Sequence, residues 1–142
     1  MKKVALFLLV VLMASGCTKA PPALSPEAVV AFQALRVIKV LDVVRDAAIA
    51  ANDLTPPVIQ TKDTRTVVLW HKVAVQTIAA TPGGWKPTVK ASIYALSCHP
   101  QAYMPGPGIP LPDACTPQIP ADVNMRLRPY IGLALVVIME VQ

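Results

Sequence analysis

Apolar residues return along the first half of the chain at alternating intervals of four and three: Val30, Ala34, Val37, Leu41, Val44, Ala48 and Ala51. At 3.6 residues per turn this rhythm lays all of them on one stripe of a helix. The start is written in Ser25-Pro26-Glu27, a serine to cap, a proline in the first turn where its missing N–H is harmless, and an acid near the positive end of the dipole. The helix is expected to run to Asn52. Val29, Phe32, Val40, Val43 and Ala47 carry the apolar arc far around, leaving Lys39, Asp42 and Asp46 as a narrow polar strip. Such a helix needs neighbours on more than one side.

Asp53-Leu54-Thr55-Pro56-Pro57 ends it, because consecutive prolines remove donors and push the preceding residue out of helical geometry. Thr61 or Asp63 then caps a second helix to Ala80, with Val67, Trp70, Ala74, Val75 and Ile78 inward and Arg65, Lys72 and Gln76 opposite. Pro82-Gly83-Gly84 predicts a turn, and Trp85-Lys86-Pro87 opens a third, shorter helix through Ala91, Tyr94, Ala95 and Cys98. From Cys98 to Pro120 the chain holds seven prolines and no Lys, Arg or Glu, which predicts an extended or polyproline-like excursion. Asp122 caps a fourth helix with Leu127, Ile131, Ala134, Leu135 and Ile138 on one face, and Pro129 kinks or restarts it. The apolar run Tyr130 to Met139 would also suit a strand, but no second strand is evident to pair with it, so a buried helix is expected. The fold class predicted is all-α: a three- or four-helix antiparallel bundle with one long, Pro-rich, Cys-bounded loop over 98–120.

The N-terminus departs from this pattern. Lys2 and Lys3 precede an apolar stretch, Val4 to Met13, that leads into small residues, the layout of an export signal. The uncharged run to Gly16 falls short of the about 20 apolar residues of a spanning helix, which favours removal over retention. Ala14-Ser15-Gly16-Cys17 resembles the lipobox of bacterial lipoprotein precursors, with Ala14 standing where that family usually has Leu. The resemblance implies cleavage after residue 16, diacylglycerol on Cys17, a lipidated tether over 17–24 and a helical domain over 25–142. Thr18 stands where an Asp would favour inner-membrane retention, so the implied address is the outer membrane, facing the periplasm. The alternative is an ordinary export signal with a chance cysteine at its end.

The whole chain carries 13 basic and 8 acidic residues, a net charge of +5. Without Lys2 and Lys3 the balance is 11 against 8, or +3. The basic residues are scattered among acids with no stripe and no aromatic interleaving, which argues against a nucleic-acid partner. With Cys17 lipidated, Cys98 and Cys115 are the thiols left of three, in a compartment that permits disulfides. Their bridge would close a loop of about 18 residues and stabilise the fold by roughly 3 kcal/mol. The alternative, Cys98, His99 and Cys115 as metal ligands, lacks a fourth ligand and the usual paired spacing.

Candidate catalysts are few. There are two histidines and eight carboxylates, of which Glu27, Asp53, Asp63 and Asp122 fall at helix starts or turns. No phosphate-binding glycine loop, zinc-helix motif or nucleophile elbow is present in the sequence. His71 projects from the apolar arc of the second helix, either as a ligand or base or as a hydrogen-bonded residue at the edge of the core. No enzyme activity and no cofactor are predicted. The reading that remains is a lipid-anchored envelope interaction or structural protein, held on a membrane, meeting an envelope protein or a second copy of itself. Its candidate binding loop offers His99, Tyr103 and Met104 beside Pro105 and Pro107. A second expectation is a carrier of a small apolar ligand between the helices, motivated by the wide apolar arc of the first one.

Leu54-Thr55-Pro56-Pro57, Leu69-Trp70-His71, Gly84-Trp85 and Pro129-Tyr130-Ile131 resemble features of small helical proteins encoded by phage and environmental bacterial genomes, a group with no assigned activity. That resemblance implies no catalytic residue. The Pro-rich loop on a lipoprotein is also similar to the outer-membrane subunits of phage lysis systems, which implies an accessory envelope or lysis role.

Overall fold

In the computed structural model, which describes residues 23–103 and 114–141, Ser25 starts the first helix as its side chain allows. Its backbone is extended and its Oγ accepts from the Ala28 N–H at 3.2 Å, satisfying one of the orphan donors of the first turn. Helix α1 then runs Pro26–Asn52, α2 Thr61–Ala80, α3 Lys86–Ser97 and α4 Ala121–Glu140, with a short 3-10 turn at Pro100–Ala102. The described residues are helical with no strand, and the run from Tyr130 to Met139 lies within α4.

The helices form a four-membered ring in chain order. α1 packs against α2 and α4, and α3 closes the ring between those two. Side-chain bonds fix the directions. Asp42 meets His71 while Ala48 accepts from the Thr64 hydroxyl, so α1 and α2 run antiparallel. At opposite ends of α3, Lys86 reaches the C-terminal end of α4 and Ser97 its beginning. The wide apolar arc of α1 is thereby used on two sides, as a surface helix with one partner could not. The core contains Val37, Leu41, Val44 and Ala48 from α1, Val67, Trp70, Ala74 and Ile78 from α2, and Val89, Ile93 and Leu96 from α3. Val123, Leu127, Ile131, Ala134, Leu135 and Ile138 come from α4, and Ile59, Trp85, Ala102, Ile119 and Val141 from the connections and the chain after α4.

Each connection is closed by polar groups that would otherwise be orphaned. Between α1 and α2, the Ala51 carbonyl accepts from the Val58 N–H at 2.9 Å, and the Asn52 amide donates to the Ile59 carbonyl at 2.9 Å, turning Ile59 into the core. The Thr55–Pro56 peptide is cis. Between α2 and α3, Gly83 takes φ +77°, where a side chain would be strained, and Gly84 N–H bonds the Thr81 carbonyl. The Lys86 ammonium donates to the Val141 carbonyl at 2.6 Å, supplying the C-terminal end of α4 with a cation that its own last turn lacks.

Two predicted caps take other places. Gln60 is the N-cap of α2, Thr61 is already helical with its hydroxyl accepting from Asn52 Nδ2 at 3.2 Å, and Asp63 sits buried in the first turn. The chain entering α2 is held by Ile59 and Asn52, so the helix begins before Asp63 can cap it. Asp122 likewise lies inside the first turn of α4, because extended Pro120 is the N-cap residue and Ala121 the first helical one. Both acids keep the favourable dipole position without the capping bond.

Candidate interaction site

The Cys98–Cys115 disulfide is formed, with an S–S distance of 1.99 Å and Cα atoms 5.8 Å apart. Cys98 is also the C-cap of α3, in the left-handed conformation at φ 54° that helices usually end with a glycine. After the bridge, the chain from Ala114 to Pro120 returns along the end of α3. Gln118 N–H donates to Ala95 at 3.1 Å, Ile119 N–H to Leu96 at 3.3 Å, and Asn124 Nδ2 to Ser97 at 2.7 Å, which satisfies the last carbonyls of the helix. The stem of the Pro-rich loop is thus sewn to the bundle.

His99 and Tyr103 both belong to this stem. His99 opens the 3-10 turn, its Nδ1 accepting from the Gln101 N–H at 3.4 Å, and its Nε2 lies near Gly132 of α4. Burial and the nearby Arg128 charge hold its pKa below the usual histidine value. Tyr103 turns back onto Tyr94, ring centroids 5.0 Å apart and planes tilted by 49°. Met104, and with it Pro105 and Pro107, lies outside the described residues, as does Cys17. The bridge engages both sulfurs that the alternative metal site would have required. Among the described residues no group of three or more His, Cys, Asp or Glu is placed to hold a metal ion.

His71 has a partner that periodicity could not name. Its Nε2 lies 2.7 Å from Asp42 Oδ1, across the α1–α2 seam, and only 10% of its side chain is exposed. Arg45 joins from the next turn, 3.2 Å from Asp42 and 2.8 Å from Asp46. The hydrogen bond from Arg45 holds the exposed Asp46 carboxyl below the usual carboxylate range and the guanidinium above its own. His71 is wedged between two helices and oriented by a carboxylate. It serves as a polar clasp between α1 and α2.

Several open surfaces are apolar. A groove of about 760 Å³ lies between the beginning of α1 and the end of α2, lined by Val30, Ala34, Leu35 and Ile38 on one side and Ile78 and Pro82 on the other. A second, smaller one of about 410 Å³ lies between α2 and α3, over Leu69, Trp70 and Val73. The outer face of α4 adds Met125, Leu133, Val136 and Met139, all exposed. Sequence reasoning identified the wide arc of α1 but neither the groove nor the α4 face. An unbroken apolar run does not say which of its sides meets the core.

No described helix is long and apolar enough to cross a membrane. Comparison with protein-family models, with curated proteins and with solved structures found no match.

Proposed function

We propose that this chain is a lipid-anchored protein of the cell envelope that works by binding rather than by catalysis. The observation that carries the reading is the apolar surface left outside a bundle whose core is already filled, on α4 and in the α1–α2 groove. Contiguous exposed apolar area of this kind marks a contact surface more often than a solvated one. Two further features support the setting. The disulfide suits an oxidising compartment, and the lipobox-like segment ending at Cys17 supplies an anchor on the outer membrane, facing the periplasm. Intact mass of the full-length product purified from membranes tests this directly. The expected species begins at Cys17, carries added acyl chains, and yields two alkylatable thiols only after reduction; Cys17→Ser leaves the membrane fraction. An unlipidated mass or free thiols would overturn the anchored reading.

A second reading, a carrier of a small apolar ligand, is favoured by the groove alone. Its volume falls in the range of small-molecule sites, about 300–1,000 Å³, and its lining is apolar apart from Glu27 at the start of α1. Binding of a fluorescent fatty acid that is lost in Ile38→Arg would support it, and binding unaffected by that change would count against it.

A further inference from the structure

We infer that the outer face of α4 pairs with the same face of a second copy of this chain, antiparallel, about a two-fold axis at Leu133. The face is a regular seam: Asp122, Arg126, Pro129, Leu133, Val136 and Glu140 follow at spacings of four and three, and all six are exposed. That spacing is the one by which helices pack lengthwise on each other. Leu133 is 50% and Val136 44% exposed, and no charged residue occurs from Pro129 to Met139.

The ends of the seam identify the occupant. In an antiparallel pair centred on Leu133, each residue meets the one equally far on the other side. Tyr130 then meets Val136 of the second copy, and Arg126, seven before the axis, meets Glu140, seven after it. Arg126 makes no ion pair among the described residues, and Glu140, which accepts from Arg36 at 3.5 Å, still has 58% of its side chain exposed, enough to meet a second arginine. The face is therefore complementary to itself in sign, Arg126 to Glu140 at both ends. A lipid surface fits less well, since interfacial helices flank their apolar face with Lys and Arg on both sides, whereas this one has Arg126 and Arg128 before its apolar stretch but a carboxylate, Glu140, after it. The pairing needs neither the anchor nor the loop and goes beyond the binding role proposed above.

The test uses the full-length protein in its membrane and in detergent. Leu133→Cys places a thiol beside its own copy, so mild oxidation should give a covalent species of twice the mass, while Leu69→Cys, at least as exposed on α2, should give none. Arg126→Glu and Glu140→Arg should each weaken dimerisation about fivefold, the scale of two symmetry-related surface ion pairs. The double variant should return to within twofold of wild type. Absence of linkage through Leu133→Cys, or a double variant no better than the singles, would overturn the inference.

Discussion

α2 and α4 are both 20 residues long, both bury an apolar stripe in the same core, and differ on the side that faces away from it. The outer side of α2 interleaves Lys62, Arg65, Lys72 and Gln76 with Leu69 and Val73, the mixture expected of a wetted helix. The outer side of α4 past Pro129 has Leu133, Val136 and Met139 and no charge until Glu140. Equal burial inside with unequal polarity outside separates what folds the molecule from what it offers to a partner. The fold needs one face of α4, and the sequence has kept the other apolar as well.

Substitution on the two faces of α4 gives the largest contrast. Leu127→Ala or Ile131→Ala removes a fully buried side chain and should cost about 2–5 kcal/mol in denaturant unfolding, while Leu133→Ala should stay within about 0.5 kcal/mol. A large loss at Leu133 in the dissociated protein would mean that this face is part of the fold.

Next comes the loop stem against the plain turn of the α2–α3 connection. Replacing both cysteines with serine releases a loop closed over a separation of 17 residues and should cost roughly 3 kcal/mol. Glycine at position 98 with serine at 115 should recover about 1 kcal/mol of that, because the left-handed backbone of Cys98 is strained for any residue with a Cβ. Thermal or denaturant melts of the two double variants check both numbers.

The α1–α2 clasp is smaller. Asp42→Ala leaves the mostly buried His71 without its bond and should cost about 1–2 kcal/mol, whereas Lys39→Ala, one turn away and exposed, should change nothing measurable. Equal effects at the two positions would remove the clasp.

The smallest effect is a pH dependence. His99 has a folded pKa below its unfolded one, so the unfolded chain binds the proton more readily. Its contribution is present above the unfolded pKa and is lost as pH falls through the folded value. Unfolding free energies measured from pH 7.5 down to 5 should therefore decline less steeply in His99→Gln than in wild type. An identical slope would place the titration elsewhere.

The legible part of this molecule was what repeats. The four-and-three stripes of α1, α2 and α4, the serine at 25 and the glycines at 83 and 84 name their elements because local geometry decides them. The disulfide followed from counting thiols. What stayed hidden depends on tertiary partners. Asp63 and Asp122 read as caps because the pull of Ile59 and of the Pro120 stem on the helix starts has no local signature. Asp42 stood as one of three acids and bases on a polar strip, with nothing in the chain to send it to His71, 29 residues on. Of the expected binding loop, His99 and Tyr103 turned out to be bound into the stem, since their contacts with α4 and Tyr94 arise only when α3 and α4 meet.

The most direct test is the solution mass of the full-length protein by light scattering in detergent, beside Leu133→Glu. Pairing through α4 predicts a dimer for wild type and a monomer of unchanged helix content for the variant. A wild-type monomer at every concentration, or a variant that remains a dimer, would contradict it.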